Sequence, residues 1–333
     1  MSSPISRRIL AGILPLLMLI PHAAQAASGG VINFQEENDL FGDGSDQHFT
    51  HGMLLTLLTP PDSKHPGMTE MFDLLPFFEH GRKLRFSFGL GQNMYTPQDI
   101  TRRTPDPSDR PYAGWLYGSA GIVSESDSGV LESLELNLGM IGPAAFAEDV
   151  QTTFHEWINS PRPEGWSHQL KNEPGAVLYY ESKQRVKKQN PDGMLQYDFT
   201  PHIGGALGNV FTYAAAGATF RFGDGLPSDY GPPRIRPSLP GSGFFETTGQ
   251  AFGWYFFGGF EGRVVARNIF LDGNTFANSA SVDRNWLVGD LQGGLVLTFK
   301  QTRIAYTHIV RSKEFDGQDQ SDQFGAISVS FAY

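Results

Sequence analysis

The chain has 333 residues, no cysteine and a formal net charge of −10, from 35 acidic and 25 basic residues. This acidic balance argues against nucleic acid as a partner, because phosphate backbones are bound by an excess of Lys and Arg. Without cysteine, the protein must be stabilised by backbone pairing or by a packed core and not by disulfides.

The first residues have the three parts of a secretory signal peptide. Arg7 and Arg8 precede an apolar run over residues 9–20, and a small-residue cleavage triplet ends at Ala26. We therefore predict a signal peptide over residues 1–26 and one mature domain over residues 27–333, with 23 basic and 35 acidic residues and a net charge of −12. No later apolar segment reaches roughly 18 residues, so the sequence offers no spanning helix.

The composition is rich in aromatic residues and glycine, with 26 Phe, 11 Tyr, 5 Trp and 39 Gly. Outer-membrane barrels show this bias, because their strands direct apolar and aromatic side chains toward lipid and small or polar ones toward the lumen. A large secreted β-sandwich or a lipocalin, which uses the same alternation to build an ordinary core, is the alternative.

Twelve segments of about ten residues alternate apolar and polar side chains between turn signals, as in Leu84 to Leu90. This pattern predicts an all-β fold, a transmembrane antiparallel up-and-down β-barrel of twelve strands with a wet lumen. The last segment stops on Tyr333, an ending that resembles the terminal strand signal recognised by the barrel assembly machinery. The segments are 31–38, 49–58, 83–92, 113–124, 130–141, 175–187, 194–205, 212–222, 252–270, 286–299, 301–313 and 323–333.

Connections between these segments alternate in length, as expected if both termini are periplasmic. Tight turns then fall on the periplasmic side at 126–129, 189–193 and Lys300, and long loops fall outside at 93–112, 142–174 and 271–285. Two long segments disagree, because 59–82 and 223–251 would be periplasmic. For these the sequence predicts only coil, or a short helix near residues 68–78.

The outer loop over residues 142–174 contains an amphipathic helical pattern. Apolar side chains recur there at helical spacing, at Phe146, Val150, Phe154, Trp157 and Ile158. Gln151 and His155 are four residues apart and therefore share one face of this helix. A lone histidine is more often a solvated or capping residue than a catalyst.

A candidate site lies between the first two strands. Asn38 and Asp39 end one strand, and Thr50 begins the next after an acidic, Gly-rich loop, so the three residues are expected to be close in space. The alternative is an Asx-rich hairpin loop in which Asn38 and Asp39 satisfy their own backbone.

Five phrases, in this order across nearly all of the mature chain, together resemble the outer-membrane lipid A 3′-O-deacylase family, which removes the 3′-linked acyloxyacyl group from lipid A. The phrases are Glu37-Asn38-Asp39-Leu40-Phe41; Asp46 followed by Phe49-Thr50-His51-Gly52; Asp109-Arg110-Pro111-Tyr112-Ala113-Gly114-Trp115; Ile141-Gly142-Pro143 followed by Gln151 and His155; and Gly165-Trp166 followed by Gln169-Leu170.

The resemblance implies a twelve-stranded barrel whose site lies between the outer wall and a loop helix, with Ca²⁺ and a histidine-activated water. The family's asparagine and aspartate fall on Asn38 and Asp39, its hydroxyl residue on Thr50 and its histidine on His155, and Gln151 is assigned to substrate binding. Asp39 is the implied metal ligand. Lipid A of lipopolysaccharide in the outer membrane is the implied substrate.

The chain departs from the family pattern at two places. Arg102 and Arg103 stand where the best-understood members have a lysine followed by an arginine, so positive charge is kept but the geometry of a phosphate contact differs. Phe49 stands where a tyrosine usually precedes the threonine, and it lacks the phenolic hydroxyl. Arg102 and Arg103 are expected to meet a lipid A phosphate or, alternatively, to be rim charges facing anionic lipopolysaccharide.

Ester hydrolysis requires a nucleophile and a group that stabilises the developing oxyanion. No serine lies in a Gly-x-Ser-x-Gly elbow, so a water with His155 as its base is the economical choice. Ca²⁺ held by Asp39 would polarise the carbonyl, and Thr50 or Asn38 would orient water or substrate. The alternatives are an outer-membrane phospholipase and a channel or structural barrel without catalysis.

Overall fold

The computed structural model describes residues 29–42, 48–63, 82–188, 195–239, 241–246 and 250–333. Three predictions lie outside these residues: the signal peptide over 1–26, the short helix near 68–78 and the turn at 189–193.

The described residues form one antiparallel sheet that closes on itself. The short β7 continues β6 beyond Arg185, and both pair with β8, so the wall is a closed barrel of twelve strands within the part of the chain described. The predicted fold is confirmed. The strands are β1 (Val31–Asn38), β2 (His48–Leu58), β3 (Lys83–Thr96), β4 (Ala113–Glu125), β5 (Val130–Ile141), β6 (Glu173–Gln184), β7 (Val186–Lys188), β8 (Gln196–Gly208), β9 (Phe211–Asp224), β10 (Phe252–Asn268), β11 (Leu287–Phe299), β12 (Thr302–Arg311) and β13 (Asp322–Ala332).

Alternate side chains along each strand face opposite sides of the wall. On β2, Met53, Leu55 and Leu57 are 37%, 52% and 40% exposed, and the positions between them face the lumen. The other strands carry the same outward apolar residues, which is the surface that a bilayer requires of a closed barrel. No helix in the described ranges is long and apolar enough to cross a membrane.

The start of β1 and the C-terminal Tyr333 lie at one end of the barrel, which we call the terminus end. The opposite end, the loop end, carries long connections over residues 97–112, 142–172, 269–286 and 312–321. They include helix α1 (Ala147–Ile158) and the single turn α2 (Ile269–Asp272). The predicted alternation of short and long connections therefore agrees with these elements, and α1 confirms the predicted loop helix.

Residues 225–239 and 241–246 form a plug that enters the lumen from the terminus end. Arg234 donates to both carboxylate oxygens of Glu37 on β1 at 2.6 and 2.9 Å, and both side chains are 2% exposed. Lys183 on β6 donates to the Gly241 carbonyl at 2.5 Å, and the Arg85 guanidinium on β3 lies 4.2 Å from the Phe244 ring centroid. The plug accounts for the long segment that the sequence predicted only as coil.

The inward polar side chains of the strands face this plug and not an open channel. Asp229 of the plug accepts from Arg303 at 2.6 Å and from Arg221, which also donates to Asp198 at 2.9 Å. These groups are buried and paired, as buried charges must be. The predicted wet lumen is thus replaced by a packed, charge-paired interior.

The lumen nearer the loop end is closed by aromatic packing. Tyr95 stacks on Phe270 of α2 with ring centroids 4.0 Å apart, and Trp115 stacks on Tyr117 at 4.2 Å. Phe49, without the hydroxyl that the family pattern has there, packs against Tyr95 at 5.5 Å. A rigid interior of this kind holds the strand ends at the loop end in place.

We expect Arg234→Ala to destabilise the barrel by about 3–5 kcal/mol, because it leaves the Glu37 carboxylate buried without its charged partner, with the Ile235 backbone N–H still donating to it. The measurement is the temperature at which the folded band is lost on gel electrophoresis. The double variant Glu37→Gln/Arg234→Met removes both charges and should cost less than Arg234→Ala alone. An unchanged transition temperature in Arg234→Ala would contradict a plug anchored through this pair.

Candidate active site

Asn38 lies on the outer face of the wall, at the loop end of β1. Its cross-strand partner on β2 is His51, which has the same outward orientation as Met53 and Leu55. Asn38 Nδ2 donates to His51 Nδ1 at 3.2 Å. An amide nitrogen only donates, so His51 accepts at Nδ1 and its ring is neutral with the proton on Nε2. The two side chains form a fixed polar pair at the rim of an apolar surface.

The same asparagine caps the short 3-10 turn Asp39–Phe41. Asn38 Oδ1 accepts from the Leu40 backbone N–H at 2.7 Å, which satisfies a donor at the start of the turn. The Gly42 N–H closes the turn on the Asp39 carbonyl at 2.8 Å. Asn38 therefore satisfies the backbone, as the Asx-loop alternative held, and in doing so fixes the backbone of Asp39, which is only 4% exposed.

Thr50 sits in a β-bulge of β2. The register with β3 pairs Phe49 with Tyr95 and His51 with Met94, so Thr50 is the extra residue. Its hydroxyl lies 2.6 Å from that of Thr96 at the end of β3. A bulge re-aims the side chains beside it. Here it turns the Thr50 hydroxyl toward Thr96. Thr50 directly precedes His51, the residue of β2 that pairs with Asn38.

One continuous row of cross-strand partners joins these residues to the loop helix. Asn38, His51, Met94 and Gly114 are consecutive partners on β1 to β4, and we call this row the register line. At its end, a Cβ added to Gly114 would lie 2.5 Å from the Cβ of Ala147, so α1 packs directly on the outer wall there. The loop helix and the outer wall are therefore in contact, and the position of a site between them stays a prediction.

The face of α1 that turns to the wall is the polar one. Ala147, Gln151 and His155 recur every four residues and are 1%, 3% and 4% exposed. The apolar stripe points away, with Phe146 57% and Trp157 63% exposed. The helix thus buries its histidine toward the register line and presents aromatic side chains on its outer side, which is the arrangement of a helix at a lipid boundary.

Hydrogen bonds orient the two polar side chains of this face. His155 Nδ1 donates to the Pro161 carbonyl at 2.5 Å, and because a carbonyl only accepts, this contact keeps the proton on Nδ1. In the neutral ring Nε2 is then the basic nitrogen. Gln151 Oε1 accepts from the Trp166 indole Nε1 at 2.7 Å. His155 is therefore held as a neutral ring whose Nε2 can accept a proton.

Arg102 and Arg103 lie in the exposed loop between β3 and β4. Arg102 pairs with Asp106 at 3.2 Å and Arg103 with Glu164 at 3.6 Å, and the arginine side chains are 50% and 87% exposed. Hydrogen bonds from the Ser108 hydroxyl and backbone N–H lower the pKa of Asp106, so it is ionised at neutral pH. Exposed pairs of this kind contribute little stability and exchange easily for another anion.

The predicted site residues at the loop end carry oxygen atoms, which are the ligand type that hard cations prefer. Asp39 supplies a carboxylate and Thr50 and Thr96 supply hydroxyl oxygens, and Ca²⁺ takes roughly six to eight oxygen ligands, including backbone carbonyls and water. Within the described ranges no three His, Cys, Asp or Glu side chains are grouped to hold a metal ion. Asp39 stays the predicted calcium ligand, and calcium binding stays a prediction.

Several partners of the predicted site residues were not anticipated. His51 on Asn38, Thr96 on Thr50 and Trp166 on Gln151 all contact them directly. His51 and Trp166 lie within the phrases of the family resemblance, which is a signal that identifies them but assigns no role. Thr96 falls beyond the predicted end of its strand at residue 92, since the alternation ends at Leu90.

The remaining histidines near the site differ from one another. His48 is 4% exposed, and its Nδ1 lies 2.5 Å from Asp322 Oδ1. This contact links β2 to β13. His168 is exposed, and its Nδ1 lies 3.1 Å from the Ser167 hydroxyl. Of these, only His168 can be changed without altering packing or a contact of the candidate site.

Comparison with solved structures identifies barrels of similar architecture. LpxR from Salmonella typhimurium matches with a TM-score of 0.73 and 18% identity, over 91% of this chain and 100% of that chain. The beta domain of the Bordetella autotransporter BrkA matches with a TM-score of 0.44 and 9% identity, over 92% and 99% of the two chains. The translocator domain of NalP from Neisseria meningitidis matches with a TM-score of 0.42 and 11% identity, over 98% and 97%.

Comparison with curated protein sequences finds no significant match. A family model described as outer membrane protein LpxR matches residues 10–333, nearly the whole chain. The protein is accordingly an outer-membrane barrel, and the resemblance noted in its five phrases is confirmed at the level of the family. The chain belongs to the LpxR family of outer membrane proteins.

Proposed function

We propose that this protein is an esterase that removes the 3′-linked acyloxyacyl group from lipid A in the outer leaflet of the outer membrane. The observation that carries the proposal is the buried His155, held with Nε2 as its basic nitrogen on the helix face that packs against the register line. The barrel wall does not require a buried histidine at that position. A polar helix face turned to a lipid-exposed wall is best explained by chemistry between them.

In the proposed reaction, His155 Nε2 takes a proton from a water as the water oxygen attacks the ester carbonyl carbon. The same proton is then returned to the sugar oxygen as the carbon–oxygen ester bond breaks, which yields a carboxylic acid and a free hydroxyl. The Pro161 carbonyl holds the ring by its Nδ1–H and favours the charge that forms on the imidazole. Gln151, fixed by Trp166, would contact the substrate beside it.

Asp39 and the neutral oxygens around it would hold Ca²⁺, which supplies a Lewis acid for the ester carbonyl when bound. Both polar atoms of the Asn38 side chain are already engaged, because its Oδ1 accepts from the Leu40 backbone N–H and its Nδ2 donates to His51 Nδ1. Its proposed role is thus to position the Asp39 turn. The Thr50 hydroxyl, shared with Thr96, would orient water or substrate.

The charges and surfaces around the site suit an anionic lipid. Arg102 and Arg103 are exposed in the neighbouring loop, and their weak surface pairs leave them able to bind a lipid A phosphate through charge-assisted hydrogen bonds. Phe146 and Trp157 present an apolar surface on the outer side of α1. A substrate in the membrane would therefore reach the site laterally, from the leaflet.

The plug and the aromatic layer occupy the lumen that a channel would need, which argues against the channel, whereas a structural barrel without catalysis stays an alternative. A phospholipase remains the rival within enzymes, because its ester chemistry is the same.

Mass spectrometry of lipids from cells with and without the protein separates these possibilities. We expect lipid A to lose the mass of its 3′-linked acyloxyacyl group only when the protein is present, with the glycerophospholipids unchanged. Accumulation of lysophospholipids with intact lipid A would favour the phospholipase. No change in either lipid class would contradict the proposed esterase.

A further inference from the structure

A groove crosses the outer wall on strands β8 to β12. Its volume is about 510 Å³. The floor is formed where Gly258 and Gly293 face each other as cross-strand partners, so two neighbouring outward positions carry no side chain. Phe260 and Leu291, 60% and 61% exposed, wall the side nearer the loop end, and Phe220 closes the far end. The groove results from missing side chains among large apolar neighbours.

The groove continues the register line on the other side of Asn38. Gly258, Gly293, His308, Gly325 and Asn38 are consecutive partners on β10, β11, β12, β13 and β1. Four strand spacings of about 4.8 Å make this path roughly 19 Å long. One row of the wall therefore connects the groove with the candidate active site.

This path also descends from the loop end toward the middle of the barrel. Asn38 is the last residue of β1, whereas Gly293 lies six residues from Leu287 at the loop end of β11. Gly258 lies ten residues from Asn268 at the loop end of β10. One leaflet contributes about 15 Å of hydrocarbon, half of the usual core thickness. The row thus descends from Asn38 at the loop end, and the groove at its lower end lies in the acyl region of one leaflet.

Between the groove and Asn38, the row of partners passes the turn that carries Asp39. Phe41 covers Gly325, where an added Cβ would lie 2.6 Å from the Phe41 Cβ. The Tyr306 hydroxyl donates to the Phe41 carbonyl at 2.9 Å, and His308 Nε2 donates to Gln323 Oε1 at 3.3 Å beside it. A chain that continues from the groove along this row toward Asn38 would therefore contact the same short turn that presents Asp39.

We propose that this groove binds a hydrocarbon chain of the lipid substrate and so sets the position of its ester at the active site. This inference rests on the proposed esterase function and adds an acyl-binding subsite to it. The occupant is a lipid chain because the groove is continuous with the lipid-facing surface and its lining is almost wholly apolar. Hydrocarbon surrounds the groove as well, so its effect comes from shape and positioning and not from transfer out of water.

The wall offers substitutions that fill the groove and a matched pair that does not. A Cβ at Gly258 or Gly293 meets nothing closer than 3.7 Å, so Gly258→Leu and Gly293→Leu should occupy the groove without displacing the backbone. Gly262 and Gly289 are cross-strand partners on the same two strands and the same face, outside the groove lining. A Cβ added at Gly262 meets nothing within 4 Å, and one added at Gly289 meets only the Glu261 carbonyl oxygen at 3.8 Å.

The experiment uses the purified mature protein in lipid vesicles, with lipid A and an analogue with shortened 3′-linked chains as substrates. Gly258→Leu and Gly293→Leu should lower kcat/KM on full-length lipid A by about 10-fold to 200-fold and leave the short-chain analogue nearly unaffected. Gly262→Leu and Gly289→Leu should match the wild type on both substrates. Heat-dependent mobility on gels verifies that every variant is folded.

Three outcomes would each overturn the subsite while leaving the esterase intact. The groove-filling and control variants could be equally active, the groove-filling variants could lose as much activity on both substrates, or the controls could show the same loss. A wild-type protein that leaves lipid A unchanged would overturn the proposed function and the subsite together. The two failures are therefore distinguishable.

Discussion

His155→Ala is expected to remove most deacylation while leaving the barrel assembled. A general base typically contributes about 10²-fold to 10⁴-fold to a rate, so the loss should lie in that range and not be a mere halving. His155 belongs to a loop helix packed on the outer wall and takes no part in strand pairing, so the heat-dependent gel shift should persist. The measurement is lipid A mass spectrometry on membranes containing equal amounts of folded protein.

His168→Ala is the control for this variant, because His168 is exposed in the same loop and its ring nitrogen Nδ1 lies 3.1 Å from the Ser167 hydroxyl, away from the candidate site residues. It should retain nearly full activity. His48 is unsuitable as a control, since it is buried against Asp322, and His51 contacts Asn38. Full activity in His155→Ala, or an equal collapse in His168→Ala, would assign the base to another residue.

Asp39→Ala should lower the rate of deacylation about as strongly as removal of calcium does. The loss of the carboxylate that would hold the cation removes its stabilisation of the oxyanion, and losing one such electrostatic contact typically costs about 10²-fold to 10³-fold. In the wild type, excess chelator should stop the reaction and added calcium should restore it. In Asp39→Ala, added calcium should not restore full activity.

Asp319→Ala provides the matched control, because Asp319 is an exposed carboxylate in the β12–β13 loop. It should deacylate lipid A at the wild-type rate and respond to calcium in the same way. Undiminished wild-type activity in excess chelator would remove Ca²⁺ from the proposal. Calcium dependence that survives unchanged in Asp39→Ala, with activity retained, would assign the metal to other oxygens.

The two variants would report on different halves of the proposed site. His155 approaches from the loop helix and Asp39 from the end of β1, and the register line is the surface between them. If both variants fail and both controls remain active, the chemistry takes place outside the barrel, on the lipid side of the wall. The paired plug residue Arg234 would then affect stability without a specific effect on catalysis.

The alternation of side chains along single strands was sufficient to predict the wall. It depends only on the two-residue period of an extended chain, so all twelve strands were identified from local sequence, with most ends within a few residues. The helical spacing from Phe146 to Ile158 similarly predicted α1, and the shared face of Gln151 and His155 follows from the same local geometry.

Contacts that depend on register between distant segments were decided only by the tertiary structure. Nothing in local periodicity places His51 on Asn38 or aligns Gly258 with Gly293, and the bulge at Thr50 shifts the pairing by one residue. The plug is the clearest case. Residues 225–239 show no strand or helix periodicity from which their position could be predicted. They are held by charged side chains such as Glu37 and Arg303, which are far away in the sequence and become neighbours of the plug only when the barrel closes.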